Sequence, residues 1–210
     1  MSQPKRLTKE IGAFSRRSAE ENRAVAAGPF GVIFGDEKYM AFKAFDLILE
    51  PDPRFAELYI DNELQPRRMT LEDHHFSLYR IGLSGIAPAE VRSAFDRARN
   101  VMLYAFFDYD LLVVGEVQAI GAFELAIKHQ LNEHGGRSRG TLRNLVDQAR
   151  KKGLLPRDVS WGQSHFDAFD ALIEIRNALS HGTSDVHTAG MALPILATCA
   201  QWIDHIYPPP

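Results

Sequence analysis

Three polar side chains with chemical potential stand close together in the segment LIEIRNALSHGTSDVH, residues 172–187. Arg176 and Asn177 are adjacent, and four residues separate Arg176 from His181. The guanidinium of an arginine is permanently charged and suits the binding of phosphate or carboxylate groups. The imidazole of a histidine can take up or release a proton near neutral pH. The segment therefore offers a fixed positive charge and a proton-exchanging group within two helical turns.

The helix expected to carry these residues places Arg176 on its apolar face. At about 100° per residue, one apolar stripe is formed by five residues: Phe166, Phe169, Leu172, Ile173 and Leu179. A guanidinium on such a face is costly unless it is paired or meets a polar cavity. His181 lies about 140° from Arg176 around an ideal helix, and Gly182 favours the end of the helix there. A basic side chain in a last turn is also common for structural reasons alone, because the helix dipole favours it.

Helical periodicity dominates the chain from Pro88 onwards. The segment 110–136 is apolar almost all round, which places its helix at the centre of a bundle. Further helices are expected over 88–110, from Thr141 to Gly153, over 164–182 and over 188–208, where Pro194 falls inside the last helix. Four or five helices joined by short loops predict a mainly α fold, a helical bundle over residues 88–207.

Residues 1–87 carry most of the glycine and proline signals and are expected to form a less regular N-terminal extension of unknown role. Residues 11–28 and 70–82 are its candidate helices, and Thr70 with Asp73 has the spacing of a capping box.

The composition fits a soluble globular protein. The 210 residues are 45% hydrophobic and 24% charged, with a net charge of −3, which argues against a broadly basic nucleic-acid surface. The single cysteine, Cys199, excludes a disulfide within the chain and a cysteine-based zinc site, and its apolar neighbours favour a small buried side chain. Neither a signal peptide nor a membrane span is legible, so a cytoplasmic protein is expected. No metal or cofactor site is predicted.

The order of these segments resembles the HEPN superfamily, the higher eukaryotes and prokaryotes nucleotide-binding domains. An aromatic-rich helical stretch is followed by TLRNLVDQARKKGLL and then by IRNALSHG. The family carries an R-x4-6-H signature that begins R-N or R-H, and the match here runs from Arg176 and Asn177 to His181. The resemblance covers roughly residues 95–205.

This resemblance implies a HEPN-like bundle acting as a metal-independent endoribonuclease, a toxin or a defence effector, with its site at the interface of a homodimer. RNA supplies the 2′-hydroxyl nucleophile. The resemblance makes His181 the general acid or base, Arg176 the group that holds the scissile phosphate, and Asn177 the residue that orients one of them. It implies RNA, a second copy and an antitoxin protein as partners, with no DNA specificity and no membrane.

Glu124 is a fourth candidate for this site. It lies between Phe123 and Leu125 in the expected central helix, where a carboxylate requires a cationic partner. Arg176 is the expected partner. The alternatives are that Glu124 faces solvent or pairs with Lys128 four residues later.

Two other functions are compatible with the same residues. The acidic net charge and the lack of a long basic stripe favour a non-catalytic HEPN-like module that binds a protein or a nucleotide and oligomerises. The Arg–His motif can also be accidental, in which case the chain is a helical oligomerisation protein. The intact pair of Arg176 and His181 favours the enzyme.

Overall fold

The computed structural model describes residues 42–60, 66–135, 139–157, 167–181 and 186–208. Seven α-helices are found within these residues: α1 (Pro53–Ala56), α2 (Leu71–Tyr79), α3 (Ala89–Tyr104), α4 (Leu111–Glu133), α5 (Leu142–Lys151), α6 (Ala168–Ser180) and α7 (Ala189–Ile206). A 3₁₀ turn covers Phe45–Leu47, and two short antiparallel strands, β1 (Tyr59–Ile60) and β2 (Arg67–Arg68), pair Tyr59 with Arg68. The prediction of a mainly α bundle is confirmed, with five of the helices after Pro88. None of the described helices has the length and hydropathy of a membrane span.

Four of the described helices, α1, α2, α5 and α6, begin after a residue whose side chain accepts hydrogen bonds from free backbone N–H groups. Thr70 and Thr141 each form a capping box, with Asp73 and Asn144. Asp167 caps α6 by accepting hydrogen bonds from the N–H groups of its second and third residues. The sequence predicts the starts at Thr70 and Thr141, whereas the cap at Asp167 falls inside the helix predicted over 164–182. The predicted helix over 11–28, the stripe residue Phe166 and the helix stop at Gly182 lie outside the described residues.

The central helix, α4, packs against α3, α5, α6 and α7. Ten of its residues are buried. Phe123 of α4 stacks on Phe169 of α6 at 5.9 Å between ring centroids, and Phe169 contacts Trp202 of α7 at 4.6 Å. This row of rings joins three helices through one apolar layer.

Helix α6 is held at its N-terminal half by arginines of α5. Arg143 donates hydrogen bonds to Asp170 at 2.8 Å and to Glu174 at 3.3 Å. Arg150 pairs with Asp167, and its guanidinium also lies over the ring of Phe169, 4.9 Å from the centroid. These contacts fix α6 near its first two turns.

The compact unit that contains the bundle begins at Leu49. Residues 49–87 therefore group with the helices that follow them, whereas the sequence was divided after Ala87. Asp52 is buried and accepts hydrogen bonds from Arg54 and from the backbone N–H of Tyr109 at 3.1 Å. His74 of α2 is buried with its Nε2 2.7 Å from the carbonyl oxygen of Met102, and burial lowers the pKa of His74.

The close approach of α3 to α4 depends on Gly115. A Cβ atom at Gly115 would lie 2.3 Å from Cγ of Met102, whereas a Cβ at Gly121 on the same helix would meet nothing within 4 Å. We expect Gly115→Ala to lower the free energy of unfolding by about 1–3 kcal/mol through overpacking. The matched variant Gly121→Ala should raise it by up to about 1 kcal/mol, because alanine is the better helix former. Urea unfolding of both variants checks this, and stabilisation by both substitutions would contradict the close approach.

Candidate functional site

Helix α6 presents the motif residues on its last two turns. Its apolar stripe is buried at Phe169, Leu172 and Ile173 but only half-buried at Leu179. Arg176 is likewise half-buried. The C-terminal half of α6 thus leaves the core, and a guanidinium can occupy the stripe there without full desolvation.

Arg176 forms no hydrogen bond or ion pair with any other described residue. The nearby acidic residues of α6 are used elsewhere, since Asp170 and Glu174 both accept from Arg143. The guanidinium of Arg176 therefore keeps its donors for a group outside the described residues. A fork of free N–H donors suits a phosphate or a carboxylate.

His181 is exposed at the C-terminal end of α6, where its backbone N–H donates to the carbonyl oxygen of Asn177 at 3.2 Å. Because this helical hydrogen bond persists, the side chains of Arg176 and His181 leave the helix about 140° apart. Among the described residues, no hydrogen bond joins the side chains of Arg176, Asn177 and His181. One α6 helix therefore displays the three groups without bringing them together.

Glu124 is not brought to Arg176. Its half-buried carboxylate accepts a hydrogen bond from Nζ of Lys128 at 2.6 Å, one turn later on α4. The expected Glu124–Arg176 pair is absent, and the structure shows the local alternative. A neighbour four residues along a helix needs no tertiary contact to reach the carboxylate, which explains why it is the partner.

A second carboxylate of α4, Glu116, forms a pair that the sequence analysis missed. Glu116 is fully buried, and its Oε2 lies 2.7 Å from Nδ1 of His187, two residues before α7 begins. Its other oxygen, Oε1, is buried and is the one buried side-chain polar atom without a hydrogen-bond partner among the described residues. The side chain of His187 is 18% exposed. The pair thus links the core to the surface.

Burial controls the protonation of Glu116. Removal from water raises the pKa of its carboxyl from about 4.5 to about 7, although the adjacent His187 opposes part of that rise. The neighbouring thiol of Cys199 is buried as expected, and burial together with the charge of Glu116 raises its pKa. Glu116 can therefore hold or release a proton near neutral pH, while Cys199 stays an inert thiol.

One signal in the sequence distinguishes Glu116 from Glu124. Both stand among apolar residues of α4, but Glu124 has Lys128 one turn away. Glu116 has Ala119 and Ile120 at the corresponding positions. A carboxylate in an apolar helix without a cation one turn away requires a tertiary partner. His187 gave no comparable signal, because no helical periodicity relates it to α4.

Two cavities lie apart from these residues. One, of about 600 Å³, is lined by residues of α2 and of α3 with its following turn: Leu71, Glu72, His75, Leu103, Tyr104 and Phe107. A polar neighbour of about 360 Å³ adds Asp96, Arg99 and Asn100. No group of three or more His, Cys, Asp or Glu side chains in the described segments is arranged as metal ligands. Comparison with family models, curated proteins and solved structures finds no match to this chain.

The raised pKa of Glu116 predicts a pH-dependent stability. Below about pH 4.5 the carboxyl is protonated both folded and unfolded. Between about pH 4.5 and pH 7 the unfolded chain loses this proton while the folded protein retains it, so stability falls as pH rises. Relative to Glu116→Gln, wild type should lose up to about 3 kcal/mol across this window. Urea unfolding of both proteins from pH 4 to pH 8 measures the difference, and a difference that does not vary with pH would contradict the burial.

Proposed function

We propose that this chain is a cytoplasmic, metal-independent endoribonuclease of the HEPN type, a toxin or defence effector that cleaves single-stranded or looped RNA. The observation that carries the proposal is the guanidinium of Arg176, half-buried and without an acceptor among the described residues, five residues before the exposed His181. A positive charge that has no counterion among the described residues suits an anionic substrate. The proton-exchanging group at the end of the same helix suits a substrate that reacts by proton transfer.

The cleavage is a transfer of the phosphoryl group within the RNA. A base removes the proton from the 2′-hydroxyl, and the 2′-oxygen forms a bond to phosphorus. The bond from phosphorus to the 5′-oxygen breaks, and an acid protonates that oxygen, leaving a 2′,3′-cyclic phosphate and a 5′-hydroxyl. Arg176 binds the phosphate and stabilises its growing charge, His181 carries one of the protons, and Asn177 orients one of these two groups.

A homodimer completes the site in this proposal. Arg176 and His181 diverge on one helix, so a two-fold axis near the C-terminal ends of two α6 helices sets the arginine of one copy beside the histidine of the other. An antitoxin protein that covers this interface would control the activity.

The activity prediction uses RNA in the presence of EDTA. His181→Ala should reduce turnover by about 10²–10⁴-fold, because proton transfer contributes that much. Arg176→Ala should reduce it by about 10²–10³-fold, and Arg176→Lys should recover only part, because lysine lacks the planar fork. The matched control substrate has a 2′-deoxynucleotide at the cleavage position and should remain uncut. Failure of wild type to cleave tRNA, mRNA and loop substrates, or equal cleavage by His181→Ala, would refute the proposal.

The dimer prediction is tested by mixing two inactive variants. Wild type at micromolar concentration should have twice the 23.6 kDa mass of the chain in light scattering. If each site takes its arginine from one copy and its histidine from the other, mixed Arg176→Ala and His181→Ala chains rebuild one intact site per heterodimer. Random pairing should then restore about a quarter of wild-type turnover. A monomeric mass, or a mixture as inactive as its components, would show that the site is not shared.

A binding module is the second candidate, and one observation favours it. Beside the cavity of about 600 Å³, Phe76, Tyr79 and Tyr104 are each more than half exposed. Exposed aromatic side chains beside a concave apolar surface are typical of a binding site. An intact wild-type dimer without activity on any RNA would favour this function.

A further inference from the structure

Cleavage of RNA needs two proton transfers, and the motif on α6 contains one histidine. We propose that His187 is a second proton-transfer group of the same site and that Glu116 is the positioning residue that holds it. This inference rests on the proposed function and adds to it a catalytic residue outside the Arg–His motif.

The geometry of the pair is that of an oriented imidazole. Nδ1 of His187 lies 2.7 Å from Oε2 of Glu116, so this nitrogen is occupied. Nε2 forms no hydrogen bond with any other described residue, and the side chain is 18% exposed. A carboxylate that occupies one ring nitrogen fixes the tautomer and the orientation of the ring and leaves the other nitrogen for a substrate.

The support for this imidazole is rigid. Glu116 lies on α4 with 0% of its surface exposed, between the buried residues Gly115 and Ala119. On the side of α7, the backbone N–H of Ala189 donates to the hydroxyl of Tyr109 at 3.3 Å. Both partners of the pair are thus attached to well-packed helices, which is what a proton-transfer group requires to stay in position.

The energetics indicate that the carboxyl group is not kept for stability. A buried carboxylate is costly to desolvate, and Oε1 gains no hydrogen bond from the described residues in return. An apolar side chain of similar volume at this position in α4 would pack without that cost. Groups retained at the expense of stability are concentrated at functional sites.

The chain path is compatible with a shared site. His187 follows His181 by six residues, in the connection from α6 to α7. Six residues span at most about 22 Å between Cα atoms. The chain therefore keeps the two histidines within about 22 Å of each other at their Cα atoms, with His181 exposed at the end of α6 and His187 held by the core.

The test measures kcat, KM and the pH dependence of kcat for RNA cleavage in EDTA. His187→Gln keeps an amide that can hydrogen bond to Glu116 but cannot transfer protons, and it should lower kcat about 10²–10⁴-fold with little change in KM. Glu116→Gln removes the charge and preserves the shape. Glu116→Gln should lower kcat less than His187→Gln does. It should also shift the pH at which kcat changes in the limb of the profile assigned to His187. Besides His187, the titratable group among the described residues that interacts with Glu116 is the thiol of Cys199 on α7, and burial raises the pKa of that thiol far above neutrality.

Controls separate catalysis from folding. His205→Gln changes an exposed histidine near the C-terminal end of α7, the end far from His187, and should leave kcat unaltered. Melting temperatures of all variants report a structural role, and the inference requires that His187→Gln lose turnover while remaining folded. If wild type cleaves RNA and His187→Gln retains its kcat and pH profile, the inference is wrong and the proposed function stands. If wild type does not cleave RNA, the proposed function and the inference fall together.

Discussion

The burial of most of α4, which leaves exposed only a narrow face that includes Val114, Gln118 and Gly121, is the constraint on which the rest of the structure depends. Ten of the 23 residues of α4 are buried, and α3, α5, α6 and α7 pack against it. Gly115 lets α3 approach closely through Met102, and Phe123 extends an aromatic layer through Phe169 to Trp202. The surrounding helices take their positions from these contacts.

The same burial gives Glu116 its chemistry. A carboxyl group on an exposed helix would be an ordinary anion, but on α4 it is desolvated and its pKa rises to about 7. Its partner, His187, comes from the start of α7, which α4 holds along its length. The core therefore fixes a titratable pair whose outer member has access to solvent. This combination of a rigid, dry carboxyl and a partly exposed imidazole is a frequent arrangement for moving protons.

The second half of α6, unlike most of α4, is not buried in the core. Arginines of α5 and the ring of Phe169 anchor its first turns, whereas Arg176 is half-buried and His181 is exposed. Packing of the core therefore does not explain why arginine and histidine occupy positions 176 and 181. An anchored helix whose terminal polar side chains have no partner in the described segments suits contact with a substrate, a second copy or a protein partner, and the proposed ribonuclease uses the first two.

The sequence alone determined which segments are helices and which helix is central. Periodicity, the threonine caps at Thr70 and Thr141 and the apolar run of α4 act within a few residues of the chain, so they can be read without the fold. The same short range explains why Lys128 could be identified from the sequence as a partner for Glu124.

Tertiary structure decided the contacts between residues that are distant in the chain. It placed Glu116 71 positions from His187 in sequence yet 2.7 Å away in space, and it attached residues 49–87 to the bundle through contacts such as that of His74. Tertiary structure also left Arg176 at the edge of the core. The burial of the apolar stripe of α6 depends on which helices pack against it, and the periodicity of the sequence does not show where along α6 that packing ends.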